Sequence, residues 1–292
     1  MKNMKKSGQS PDLSRMLKNK TILITGGAGS IGSFLTKRLL EYPIRVVRVL
    51  DIDEYSLFRL KRTVNDDRLR LLLGSILDND RVEMACNNVD IIIHAAAVKN
   101  IEISEFNPIE TINVNINGTV NLIKEAIKNR PEKFLNVSTD KAANASTLYG
   151  TTKQLSERLT SWAGIHIKGT KCASVRFGNV IETRGNVFEV WNEELKNNQP
   201  LSITDPSMKR YFFHIDEAVD FIIKCLLLMN LGEIFIPKMQ SYNIKDLAMK
   251  ISKRHKIIGL RQGEKLQESL ISEDERKRAK ESKDMWVIRQ YS

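Results

Sequence analysis

Apolar and polar residues fall in alternating blocks along the chain, and the blocks come in two lengths. Residues 21–25, Thr-Ile-Leu-Ile-Thr, form a short apolar run that predicts a buried strand. Residues 33–40 follow with helical spacing, and Pro43 closes that helix. Residues 44–50 predict a second strand, 54–64 a helix and 69–73 a third strand. The fourth strand, 89–94, is apolar at its centre, as expected when both faces are covered. A long helical pattern spans 108–129, a fifth strand 133–138, a helix 148–162 and a sixth strand 171–177.

Strand and helix alternating in this way predict βαβ units and a parallel sheet. Right-handed crossovers then give an α/β, doubly wound, Rossmann-type sheet. Beyond about residue 178 the pattern loosens, and Pro200, Pro206 and Pro237 fall there. The expected organisation is a flexible basic tail over 1–18, a dinucleotide-binding domain over 19–178 and a smaller substrate lobe over 179–292. That lobe is allowed to return strands or helices to the first domain.

Composition narrows the classes. The chain is 41% hydrophobic and 28% charged, ordinary for a globular protein. No stretch approaches the ~18 apolar residues of a membrane span, and the N-terminus lacks the apolar run of a signal peptide. Cys86, Cys172 and Cys225 are widely spaced, so they read as packing residues of a reducing compartment, with no metal site. A cytoplasmic location is expected. The net charge of +11 reads either as attraction to a diphosphate or as a solvated lysine-rich surface. No nucleic-acid motif accompanies it, so no nucleic-acid partner is expected.

The first strand runs into Gly26-Gly-Ala-Gly29-Ser-Ile-Gly32 and then into a helix. Side chains at Gly26 or Gly29 would push a pyrophosphate off the helix N-terminus, and Gly32 allows close helix–strand packing. This context predicts dinucleotide binding. Asp51 ends the second strand, where a carboxylate can accept from ribose hydroxyls and repel a 2′-phosphate. That favours NAD. Arg48 and Arg59 keep NADP open, and a helix-capping role for Asp51 or Asp53 is the plainer alternative.

The chemistry concentrates in Ser138-Thr139-Asp140-Lys141-Ala-Ala-Asn144 and Leu148-Tyr149-Gly-Thr-Thr-Lys153. Tyr149 and Lys153 are four apart at a helix start and share a face. A neighbouring ammonium stabilises phenolate, which makes the tyrosine a usable base. Placed after the fifth strand of a dinucleotide fold, this pair predicts carbonyl/hydroxyl redox chemistry.

With these motifs the chain resembles the extended short-chain dehydrogenase/reductases, and within them the UDP-N-acetylglucosamine 4,6-dehydratases of polysaccharide and flagellin-glycan biosynthesis. The resemblance spans TGGAGSIG (25–32), DIDEYSLF (51–58), HAAAVKN (94–100), EFNPIETINVNINGT (105–119), STDKAAN (138–144), LYGTTK (148–153), VRFGNV (175–180), RGNV (184–187), GEIFIPK (232–238) and RQGEKLQE (261–268). It implies a UDP-sugar substrate and a three-stage reaction. Tyr149 takes the C4 hydroxyl proton as hydride leaves C4. Lys141, as a neutral amine, then removes the C5 proton. Protonated Asp140 gives its proton to the departing C6 hydroxyl, and hydride returns to C6. Thr139 is expected near the C4 oxygen.

The resemblance further implies cofactor contacts at Ser30, Ile31, Asp78 and Ala95. It implies substrate contacts at Lys99, Glu105, Asn179, Arg184, Arg261 and Glu264. His94 ends a buried strand and reads as packing. The chain departs from the family where Asn100 replaces a histidine, Ser75 replaces an aspartate and Glu182 enters a usually small-residue segment. Its motifs are mixed between C5-retaining and C5-inverting relatives, so the C5 outcome stays open. A C4-epimerase or 4-ketoreductase is the nearest alternative, and a non-catalytic NAD(P)-binding regulator the more distant one. Related folds pair through helices flanking the sheet, which implies a homo-oligomer formed through 108–129 and 148–162.

Overall fold

The structure is a computed structural model and describes residues 10–261 and 263–291. A first helix, α1 (Pro11–Leu17), leads into β1 (Thr21–Thr25), α2 (Ser30–Leu40), β2 (Val46–Asp51), α3 (Glu54–Thr63), β3 (Leu69–Leu73), α4 (Asn79–Cys86) and β4 (Ile91–His94). Next come α5 (Ile101–Phe106), α6 (Pro108–Ile112), a π-helical turn (Asn113–Asn117), α7 (Gly118–Asn129) and β5 (Lys133–Thr139). A 3₁₀ turn (Asp140–Ala142) then precedes α8 (Leu148–His166) and β6 (Lys171–Phe177). Every residue of β4 is buried, which explains its unbroken Ile-Ile-Ile centre.

The remainder comprises β7 (Asn179–Val180), α9 (Val187–Lys196), β8 (Leu201–Ile203), β9 (Lys209–Phe213), α10 (Ile215–Leu228) and β10 (Leu231–Pro237). It continues with β11 (Ser241–Asn243), α11 (Ile244–Ile251), β12 (His255–Ile257), α12 (Glu273–Arg276), β13 (Lys280–Glu281) and β14 (Met285–Arg289). The main sheet has nine strands in the order β13-β14-β10-β6-β5-β4-β1-β2-β3. From β10 to β3 all neighbours are parallel, whereas β14 and β13 are antiparallel. The strand order reverses between β1 and β4, so a ligand crevice is expected above their carboxyl ends.

Two apolar layers cover the faces of this sheet. The C-terminal part splits between two places. A three-stranded sheet (β11-β9-β7) and a two-stranded one (β12-β8) pack around Trp191, which is fully buried and donates through Nε1 to the Ser202 carbonyl at 2.8 Å. Helix α10 and strands β10, β13 and β14 return to the main sheet.

Two expectations change here. Residues 11–17 are not a loose tail. Pro11 starts a helix after Ser10, and Leu13, Met16 and Leu17 pack on the core along one helical face, with Leu17 fully buried. Residues 1–9 of the expected tail lie outside the described residues. The long helix over 108–129 carries a π-helical turn at its middle. That turn points Asn115 inward, where its amide bonds both backbone groups of Val98 and the Thr152 hydroxyl.

Candidate active site

The cofactor cradle is a matter of close approach. Gly26 adopts φ +65°, and a Cβ there would meet the Ala96 backbone at 2.7 Å. A Cβ on Gly32 would stand 2.4 Å from the Gly26 carbonyl oxygen, so only glycine lets α2 sit this near the turn. Helix α2 has no side-chain cap, which leaves its first N–H groups pointing at the crevice. An uncapped helix start beside a side-chain-free turn fits a dinucleotide pyrophosphate. Ile31 and Ala95 line the cleft, and the Ser30 hydroxyl accepts from the Arg184 N–H at 3.0 Å.

Asp51 does not cap a helix. Its carboxylate accepts from Ala28 N–H at 2.9 Å and Asp53 N–H at 3.1 Å, so it ties the glycine turn to the end of β2. Asp53 is the cap, accepting from Ser56 N–H at 3.0 Å. Asp78 also caps a helix, α4, and is exposed. Arg48 bonds the carbonyls of Ala85 and Asn87, and Arg59 lies over the Tyr55 ring, so neither reaches the cleft.

The catalytic segment sits where β5 ends. Thr139 ends the strand and Asp140 opens the 3₁₀ turn, and Thr147 caps α8 one residue before its start. The Asp140 carboxylate is fully buried. Its Oδ1 accepts from the Thr139 hydroxyl at 2.9 Å and from Lys141 Nζ at 3.1 Å, while its Oδ2 has no hydrogen-bond partner. Tyr149, Lys153, Lys141 and Thr139 line one cleft of about 390 Å³, with Lys99, Asn179, Arg184, Arg261 and Glu264 on its other walls.

The electrostatics correct one expectation. Burial pushes the Tyr149 phenol above its ordinary value, and the opposing influences are Lys141 and Thr139, not Lys153. Lys153 is itself pushed down to about 8 by burial, with Glu157 pulling the other way. Burial also acts to lower Lys141, but Asp140, Glu268 and Tyr149 outweigh it and hold the group above its ordinary value. Lys141 therefore rests as an ammonium. The neutral-amine, carboxylic-acid form is the same pair after one proton crosses the 3.1 Å bond. His94 is buried, pushed down to about 3, and hydrogen-bonded to Thr25 and Thr119, in keeping with a packing role.

Lys153 supplies a direct test. Its depression from 10.5 to about 8 in a buried site corresponds to roughly 3 kcal/mol of lost stability at neutral pH. The penalty is complete below the folded value, where both states are protonated, and fades as pH rises from about 8 toward 10.5. Lys153→Met is therefore expected to unfold at higher denaturant than wild type at neutral pH. That advantage should shrink above pH 8. Equal midpoints at every pH would show that the buried ammonium carries no strain.

Several expected substrate contacts occupy other places. Glu105 does not line the cleft; its Oε1 accepts from Leu148 N–H at 2.7 Å and pins the start of α8. Arg184 lines the cleft but reaches the cofactor side, with Nη2 3.1 Å from the Ser56 hydroxyl and Nη1 3.7 Å from Asp53. Lys99 Nζ donates to the Arg184 carbonyl at 2.9 Å. Asn179 donates to the Tyr211 carbonyl at 3.2 Å. Arg261 faces Glu102 at 3.4 Å, and Glu264 faces Arg210 at 3.4 Å.

The departures from family pattern also have structural work. Asn100 caps α5, and Ser75 accepts from Leu77 N–H. Glu182 turns away from the cleft to take His214 and the Ile215 N–H at the start of α10. Two residues went unnoticed in the sequence. Asn115 bridges the loop after β4 to α8, and Glu268, only 5% exposed, faces the Asp140–Lys141 pair. Both lie inside motifs quoted above, but no local spacing distinguishes them from their neighbours.

Comparison with known proteins agrees with this geometry. A protein of Methanocaldococcus jannaschii named as an uncharacterized membrane protein is 42% identical, over 96% of this chain and 89% of its own. Among the described residues no helix here is long and apolar enough to cross a membrane. The UDP-N-acetylglucosamine 4,6-dehydratase (inverting) of Campylobacter jejuni is 39% identical, over 89% of this chain and 80% of its own. The solved structure of Pen from Bacillus thuringiensis superposes with a TM-score of 0.89 at 36% identity, covering 93% of this chain and 88% of that one. The polysaccharide biosynthesis protein family model matches residues 22–290, the whole span from the first strand to the last. A glycine cradle, a strand-end Thr-Asp-Lys and a helix-borne Tyr/Lys pair thus stand on a chain that belongs to the polysaccharide biosynthesis protein family.

Proposed function

We propose that this protein is a UDP-N-acetylglucosamine 4,6-dehydratase that inverts C5, works with NAD and acts in the cytoplasm. The observation that carries the reading is the Asp140–Lys141 pair, 3.1 Å apart, in which Lys141 lines the same cleft as Tyr149 and Lys153 while the Asp140 carboxylate lies fully buried behind it. Redox alone needs only the tyrosine and lysine. An adjacent acid and base are what removal of water adds. The inverting relative of Campylobacter jejuni supports both the substrate and the stereochemistry.

The uncapped start of α2 and the Gly26 turn would hold the cofactor's pyrophosphate, and Lys153 its nicotinamide ribose. Bound there, nicotinamide supplies hydride acceptance from C4 and its return to C6. Carboxylates at Asp51 and Asp53, with Arg48 and Arg59 turned elsewhere, support NAD. Tyr149, as the phenolate that Lys141 and Thr139 favour, takes the C4 hydroxyl proton. Lys141 passes its proton to Asp140 and then takes the C5 proton as an amine. Asp140, now a carboxylic acid, protonates the departing C6 oxygen. Each proton transfer contributes about 10²–10⁴-fold.

Arg261 and Lys99 line the cleft, which supports a role for both at the diphosphate. Exposed Ile112, Ile127, Leu155, Trp162 and Ile165 on α6, α7 and α8 support pairing with a second copy. Three buried thiols support a reducing compartment.

Incubation with UDP-N-acetylglucosamine in deuterated water, followed by NMR, tests the reaction. The expected product is a 4-keto-6-deoxy sugar with deuterium at C5 and inverted configuration there. A product with the C6 hydroxyl intact would point to an epimerase and overturn the reading.

A further inference from the structure

The loop between β7 and α9, residues 181–186, is tied to more of the molecule than a connection requires. Its start is fixed by Ile181 N–H, which donates to the Phe213 carbonyl at 2.8 Å, and its end by Asn186, which caps α9. Between them Glu182 and Gly185 adopt left-handed backbone, at φ +63° and φ +74°. Glycine takes that shape freely, whereas a glutamate does so only when its surroundings impose it. Here α10 holds the Glu182 carboxylate. Its Oε2 accepts from Ile215 N–H at 3.2 Å, and its Oε1 lies 3.0 Å from His214 Nδ1. The residues between the two turns reach the first domain. Arg184 N–H donates to the Ser30 hydroxyl at 3.0 Å, at the uncapped start of α2. Its carbonyl accepts at 2.9 Å from Lys99 Nζ, on the loop after β4. Its guanidinium goes on to the start of α3, with Nη2 3.1 Å from the Ser56 hydroxyl and Nη1 3.7 Å from Asp53.

We propose that residues 181–186 are a strap across the cofactor crevice and that Arg184 is its clasp, closing over the dinucleotide and slowing its release. The landing points surround the track that a dinucleotide follows in this fold. Ser30 stands at the helix start that fits the pyrophosphate. Lys99 follows the carboxyl end of β4, beside the point where the strand order reverses. Ser56 and Asp53 lie just past the end of β2, on the adenosine ribose side. One residue that bonds α2, α3 and the loop after β4 therefore spans the crevice from wall to wall. A guanidinium suits the task, because its forked N–H groups can hold a hydroxyl and a carboxylate together. Retention suits the chemistry. A cofactor that takes hydride from a sugar and returns it in the same turnover, as in dehydration or epimerisation, ends oxidised and need not leave. The proposal rests on NAD as cofactor and not on which of those reactions follows. Glu182, where the family has small residues, then fixes the strap in its bent shape from outside the cleft.

Release of NAD without sugar reads this out. The full chain is loaded with labelled NAD, diluted into excess unlabelled NAD, and the label left on the protein is followed by rapid filtration. Arg184→Ala is expected to lose its label about tenfold faster than wild type, the cost of a charged hydrogen bond. Arg184→Lys should fall between, since an ammonium lacks the fork. Ser56→Ala should also speed release, and the double variant should be no faster than Arg184→Ala alone. Release at the wild-type rate from Arg184→Ala would overturn the strap. Weaker binding of uridine diphosphate by that same variant, measured by calorimetry, would then return Arg184 to the sugar nucleotide. Fully additive effects of Arg184→Ala and Ser56→Ala would also overturn it, because the two would not act through one contact. Faster release from Arg184→Ala in a protein whose wild type leaves UDP-N-acetylglucosamine unchanged would uphold the strap and sink the dehydratase reading instead.

Discussion

Asp140→Asn and Lys141→Met are each expected to lower the dehydration rate by about 10²–10⁴-fold while leaving cofactor binding unchanged. The asparagine keeps the size of the side chain and can still accept from Thr139 and Lys141, which bond Oδ1 in the native site. What it loses is the acidic proton. The methionine keeps most of the packing of a lysine that is only 15% exposed, and loses the base. Neither residue belongs to the glycine turn or to the first turn of α2, so the cofactor should bind both variants with native affinity. Single-turnover assays and cofactor titration check the two halves separately. Native turnover by either variant would remove the pair from the mechanism.

Arg176→Met is expected to destabilise the fold by about 3–5 kcal/mol, the cost of leaving a buried charge without its partner. Arg176 lies on β6 and is fully buried. It donates through Nε and Nη2 to Glu157 on α8 at 2.9 and 2.7 Å. It donates to Glu275 on α12 at 2.8 and 2.7 Å, and to the Leu270 carbonyl at 3.1 Å. These bonds hold the returning C-terminal segment against the helix that carries Tyr149. Without the guanidinium, two carboxylates lose their cation, and Glu275 keeps the Ser272 N–H. The physical cause predicts its own control. Converting Arg176, Glu157 and Glu275 together to apolar residues should recover most of the loss, because no buried charge is then orphaned. Denaturant melts of the single and triple variants check this. A triple variant no better than the single one would mean that the pairing itself, not the orphaned charge, is what stabilises.

What the sequence made legible follows the range of the forces involved. The strands over 21–25 and 171–177 coincide with β1 and β6, because burial on both faces writes itself into short apolar runs, and 69–73 coincides with β3, an edge strand that is only partly buried. The glycine turn and the Tyr149/Lys153 spacing are equally local and equally readable. Placement across the fold was not. Arg184 sits beside the other RGNV residues in sequence, yet its guanidinium reaches Ser56 on α3, across 128 positions. Glu105 and Asp140 are both plain carboxylates in sequence, and only the fold makes one a cap for α8 and buries the other. Helix α1 was hidden because a short amphipathic turn in a basic segment looks like a tail until α10 supplies its partner. The direction of the Tyr149 shift was missed for a similar reason. Desolvation depends on what covers a group, which spacing does not reveal.

The separation of redox from elimination within one cleft is what Lys141→Met tests most directly. Mixed with UDP-N-acetylglucosamine in a single turnover, the variant should accumulate reduced nicotinamide absorbance as Tyr149 completes C4 oxidation, more slowly than wild type because Lys141 also favours the Tyr149 phenolate. It should release no 6-deoxy product, because C5 keeps its proton. Full conversion to the 4-keto-6-deoxy sugar, or no reduced cofactor at all, would contradict a Tyr149-led oxidation followed by a Lys141-led elimination.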